Sequence, residues 1–189
     1  MSIIICPGIH DPGLTEKFTS ECFFSTSDEC KPQNRGKILV FPGDGLLALS
    51  SVHILQFLGD RLQNDVKSPV IFMSFSAGVV GAIGAAWSWQ LLGGNIKAFI
   101  AIDGWGVPLW GNFPIHRMSH DYFTHWTSLL SGGGDDNFYA DPAVDHLSMW
   151  RAPQTVKGWR IDSSVNVCQA PIPLTAREFL HLLIKQYEQ

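Results

Sequence analysis

Between Lys67 and Lys97 the chain carries no charged residue, and so long an uncharged stretch belongs either in a membrane or in a protein core. Its internal punctuation favours a core. Pro69 opens the run, and the hydroxyls of Ser74 and Ser76 interrupt it near the middle. Residues 69–73 (PVIFM) are short, apolar and uncharged, as a buried parallel strand should be. Residues 77–92 read as a helix that stops at Gly93-Gly94-Asn95, a suitable C-terminal cap. Gly78, Gly81 and Gly84 would also serve as a helix-packing stripe in lipid. The remainder of the chain is an ordinary soluble mixture, so no membrane span is expected.

Three further apolar runs of strand length accompany this one: Ser2–Cys6, residues 37–41 and Ile96–Ile102. Helical stretches separate them, at residues 14–23 and at 49–62, where Val52, Leu55, Leu58 and Leu62 repeat at helical spacing. Such a βαβαβαβ alternation predicts a three-layer α/β/α sandwich around a mainly parallel sheet. After Asp103 the pattern loosens. Residues 104–150 are rich in Trp, His, Gly and Asp, with Gly132-Gly133-Gly134 as a breaker. Residues 155–161 suit a short strand and 174–187 a closing amphipathic helix. No linker or repeat divides the chain, so residues 1–189 are expected to form a single domain with a reduced number of strands.

Composition narrows the function classes. With 46% hydrophobic and 16% charged residues, the 189-residue chain can bury one substantial core. Its 13 Lys and Arg against 17 Asp and Glu leave a net charge of −4 without a basic stripe, which argues against nucleic acid as a partner. Cys6, Cys22, Cys30 and Cys168 show neither CxxC spacing nor a dense framework, and a reducing cytoplasm is the simpler reading. The N-terminal segment lacks the basic and long apolar parts of a secretory signal.

Ser74-Phe75-Ser76-Ala77-Gly78 lies at the seam between the third strand and its helix. A strand that turns at once into a helix lifts its pivot side chain above the strand's carboxyl end. The neighbours at −2 and +2 must be small because the two backbones nearly touch. Ser74 and Gly78 are small, which makes Ser76 the candidate nucleophile. The segment resembles the nucleophile elbow of the α/β-hydrolase superfamily, and the likeness extends from about Ser2 to Asp103. Ser74 stands where that family usually has its first glycine, a departure its looser small-x-Ser-x-small pattern admits.

The resemblance implies a sheet order of second, first, third, fourth strand, with a crevice at the carboxyl ends where the order reverses. It also implies a triad in the chain order serine, acid, histidine. Asp103 follows the fourth strand directly and takes the acid's place, with Asp135, Asp136, Asp141 and Asp145 as fallbacks. Its other reading is a turn-capping carboxylate before Gly104. His146, late in the chain, takes the base's place, with His120 next. The oxyanion donors would be the backbone amides of Ala77 and Ile9, with His10 as the alternative to Ile9. The region 104–150 would build a cap or pocket over the nucleophile.

Two other chemistries have weaker support. His116 and His120 would share a face if that stretch were helical, but no glutamate stands between them as in the zinc protease motif. Gly43-Asp44-Gly45 lacks the Lys-Ser/Thr of a phosphate-binding loop. The expectation is a serine esterase or thioesterase that acts on a small ester or acyl substrate through an acyl-enzyme, with neither cofactor nor metal. The alternative is a non-catalytic binding module that uses the Trp-rich surface after Asp103.

Overall fold

The computed structural model describes residues 1–24, 37–43, 45–132, 134–162 and 172–188. Its first half follows the apolar alternation closely. Ser2–Cys6 forms β1, Pro12–Thr19 α1, Lys37–Val40 β2, Ser51–Leu62 α2, Val70–Phe75 β3, Gly78–Leu91 α3 and Ile96–Ile102 β4. Caps fix the helix starts: the Asp11 side chain accepts from the Gly13 amide, and the Ser50 side chain from the His53 amide. The first four strands are parallel and lie in the order β2-β1-β3-β4, as expected.

Strand alternation sends side chains to two separate cores. Ile3 and Ile5 of β1, Ile71, Met73 and Phe75 of β3, and Ile100 of β4 pack with Phe18 of α1 on one face. Ile4, Phe72 and Phe99 pack with Ile54 and Leu58 of α2 and Val79 and Trp89 of α3 on the other. Helices therefore cover both faces of the central strands. The glycines of α3 serve close packing within the protein. A Cβ at Gly81 would lie 2.3 Å from the Ala48 carbonyl oxygen, and one at Gly84 2.2 Å from Ser51 Oγ. Among the described residues, no helix is long and apolar enough to cross a membrane.

The second half corrects the expectation of a reduced sheet. Ile115–Ser119 (β5) and Asp136–Ala140 (β6) extend it in parallel, and Lys157–Asp162 (β7) and Ile172–Thr175 (β8) close it antiparallel. The described residues thus form an eight-stranded sheet in the order β2-β1-β3-β4-β5-β6-β7-β8. Three helices complete this half: Tyr122–Leu129 (α4), Ser148–Arg151 (α5) and Ala176–Tyr187 (α6). Residues 104–150 are accordingly part of the sheet as well as of its upper rim.

Strands β5 and β6 escape an apolar pattern because they bury polar groups in pairs. Arg117, 2% exposed, donates to the carbonyls of Val107 and Gly132. Asp136 takes an ion pair from Arg160 at 2.7 Å. His116 lies between the Asp136 carbonyl, 3.0 Å from Nδ1, and the Tyr187 hydroxyl, 2.8 Å from Nε2. The carbonyl can only accept, so Nδ1 carries the proton and Nε2 accepts from Tyr187. His116 and His120 are therefore on and just beyond a strand, not on one helical face.

Cys6 and Cys22 are free buried thiols, each pushed up to about 12 by desolvation. Cys30, Cys168, Asp44 and Gly133 lie outside the described residues.

Candidate active site

Ser76 occupies the two-residue gap between β3 and α3 with φ 52°, a left-handed conformation that costs a non-glycine residue energy. Surrounding contacts enforce it. The Ser76 amide donates to the Ile102 carbonyl at 2.9 Å, bolting the turn to the end of β4. A Cβ at Gly78 would sit 2.2 Å from the Pro7 carbonyl oxygen, so position +2 admits only glycine without backbone movement. Ser74, at −2, is fully buried. The same crowding holds the loop after β1 in place, since a Cβ at Gly8 would meet Ser76 Cβ at 2.9 Å.

Asp103 directly follows β4 with φ 51°, and its amide donates to the Met118 carbonyl at 2.8 Å. Its side chain is 1% exposed. From there Oδ2 accepts a hydrogen bond from His146 Nδ1–H at 2.9 Å, and His146 Nε2 stands 2.9 Å from Ser76 Oγ. The carboxylate fixes the tautomer: with Nδ1–H donated to Asp103, Nε2 is left to accept from the serine hydroxyl. His146 comes from the loop between β6 and α5 and packs its ring on Phe75, with centroids 4.8 Å apart. Three separate strand ends thus deliver one hydrogen-bonded line.

The other sequence candidates lie elsewhere. His120 does not serve Ser76; its two ring nitrogens face Asp103, at 3.1 Å, and Asp121, at 3.4 Å. Among the alternative acids, Asp135 accepts from the Ile115 amide, Asp136 pairs with Arg160, Asp141 accepts from Trp159 Nε1 and Asp145 caps Ser148. The His10 ring turns toward Phe75 and Trp150 and bonds at Nδ1 with the Asp11 carbonyl oxygen.

A cavity of about 420 Å³ opens above the line, with Ser76, Asp103 and His146 in its wall. Leu49, Val80, Trp105 and Val107 supply its apolar lining. Ala77 lines it too, at the start of a helix whose dipole is positive at that end. Ile9 is not among the lining residues, although Gly8 beside it abuts Ser76. A second cavity of the same volume is lined by Pro7, Gly8 and His10 of that loop together with Glu16 and Phe41.

Asp103, His120 and His146 are the one group of three carboxylate, thiol or imidazole side chains among the described residues whose donor atoms converge within 4.8 Å. Their facing atoms already bond to one another. His116 is committed to Asp136 and Tyr187, and His125 is buried beside Tyr139.

The contact between Asp103 and His120 is the feature that sequence reasoning missed. A histidine one residue beyond a strand adjoining β4 was its only trace, and that signal becomes readable only once β5 is recognised. In comparisons with known proteins, no family model and no curated protein sequence matches this chain.

Proposed function

We propose that this chain is a serine hydrolase of the α/β-hydrolase type, cleaving a small ester or thioester through an acyl-enzyme. One observation carries the reading: the unbroken line Ser76 Oγ–His146 Nε2 and His146 Nδ1–Asp103 Oδ2, 2.9 Å at each step. Proximity to a base is what an alkyl hydroxyl needs to act as a nucleophile at neutral pH. The left-handed Ser76, held up at the mouth of an apolar cavity, supports the same reading.

In the first half-reaction, Ser76 Oγ attacks the carbonyl carbon while its proton passes to His146 Nε2. Asp103 stabilises the imidazolium without taking the proton itself. The Ala77 amide and an amide of the loop after Gly8 receive the oxyanion. Collapse expels the alcohol or thiol, which takes the proton from His146. Water then enters, gives its proton to His146, and releases the acid as Ser76 regains its hydrogen. These steps use only this chain's residues and water. The cavity has room for a modest acyl group, and Leu49, Val80, Trp105 and Val107 offer it apolar contact. The two buried free thiols fit a reducing cytoplasm.

A second reading rests on a separate observation. Trp105, Trp110, Phe123 and Trp126 are each more than half exposed, an aromatic surface suited to binding a partner. Fluorophosphonate labelling decides between the two. Label on the wild type that is lost in Ser76→Ala supports the hydrolase. Folded wild-type protein that takes no label favours the binding module.

A further inference from the structure

We propose that His120 is a positioning residue that holds Asp103 against His146, and that its own proton tunes how much of the carboxylate's charge serves the base. The inference rests on the hydrolase reading of the Ser76 site.

Asp103 is gripped by His120 at two points. The His120 backbone amide donates to Oδ1 at 2.9 Å, and ring Nδ1 lies 3.1 Å from each oxygen. The His120 carbonyl meanwhile accepts from the Val144 amide at 3.0 Å, two residues before His146. One residue therefore fastens both the acid and the loop that carries the base. A carboxylate this buried needs its donors supplied by the protein, and His120 supplies those that His146 does not.

The ring's surroundings make its charge adjustable. Asp103 at the end of β4 faces Nδ1, Asp121 on the neighbouring residue faces Nε2, and Asp145 and His146 approach from the loop after β6. Two nitrogens that each face a carboxylate favour the doubly protonated ring. Accordingly, the hydrogen bond to Asp103, the largest cause, holds His120 above the usual imidazole value, against an opposing effect of burial. The side chain is 26% exposed, so solvent protons reach it. A charged His120 ring has its centroid 6.0 Å from that of His146 and shares its carboxylate. It opposes the positive charge that His146 must acquire in the transition state. Neutral His120 retains the grip without that opposition.

The experiment is the rate of fluorophosphonate labelling across the imidazole pH range, in wild type, His120→Asn and His120→Leu. Asn offers a donor near the Nδ1 position but does not titrate; Leu fills space without donating. Wild type should gain reactivity in two steps as pH rises. His120→Asn should show a single step with its plateau within about threefold of wild type, whereas His120→Leu should lose about 10- to 100-fold of the plateau. A two-step profile retained in His120→Asn, or a His120→Leu plateau equal to wild type, overturns the proposal. Wild type that takes no label sinks the hydrolase reading instead. The tether is then judged by ring NMR, where a His120 titration unchanged by Asp103→Asn overturns it.

Discussion

Phe75 carries His146 on its face. The rings lie 4.8 Å apart at 21°, and beneath Phe75 the stack continues through Trp150 to Phe18, both fully buried. The column ties the imidazole to the core shared by β1, β3 and α1, so a partly exposed ring is backed by buried aromatics. Phe75→Leu should cost about 1 kcal/mol of stability through the lost ring contacts. It should also slow labelling of Ser76 by about tenfold through a less fixed imidazole. Urea denaturation beside labelling kinetics checks both.

His146 itself should matter to chemistry more than to stability. Its side chain is 41% exposed, and its two ring bonds go to Ser76 and Asp103. His146→Ala is expected to cut labelling by more than about 10³-fold while stability stays within about 1 kcal/mol. A large drop in melting temperature would mark it as a packing residue.

Asp103→Asn separates charge from shape. Asparagine tolerates the left-handed backbone at this position, φ 51°, so the fold should survive. The amide nitrogen, if turned to His146, imposes the wrong tautomer on the ring, and turnover of an activated ester should fall by about 10⁴-fold. Near-wild-type turnover would return Asp103 to its turn-capping role.

Gly78→Ala tests the elbow's geometry. The added methyl would meet backbone, the Pro7 carbonyl at 2.2 Å, which cannot swing aside as a flexible side chain would. Overpacking of this kind costs about 1–3 kcal/mol. The displaced loop should also lower labelling, whereas Gly93→Ala, at a site with no neighbour within 4 Å, should affect stability through its positive φ alone.

Acid should weaken the fold through His116 and His125. Burial, the largest cause for each, holds both rings below the ordinary value of 6.5. As pH falls through 6.5 the unfolded chain takes up protons that the folded chain refuses, so stability present above that value is lost. His120 runs the other way: its contribution is complete below 6.5 and disappears as pH rises through its raised folded value. With two rings against one, the urea midpoint should drop between about pH 7 and about pH 5, and His116→Gln should flatten the slope.

Strands β1 to β4 were legible because their burial is written in apolar side chains, every residue of β1 and β3 being buried. Ser76 and Asp103 were legible for a related reason, since each immediately follows such a run. His146 needed the order of elements as well. Strands β5 and β6 were hidden because Arg117, His116 and Asp136 find their partners at residues 107, 132, 187 and 160, relations no local window contains. Missing β5 also hid the tether, because His120 meets Asp103 only when β5 lies beside β4.

The bond between Ser76 and His146 spans 70 residues of chain, and that between Asp103 and His146 spans 43. Links of such long reach cost loop-closure entropy, which the docking of the intervening strands must offset. On the hydrolase reading, a chain whose β6 is not yet seated holds the Ser76 hydroxyl without the imidazole that would activate it. Label at that one serine would then report that β6 has joined β5.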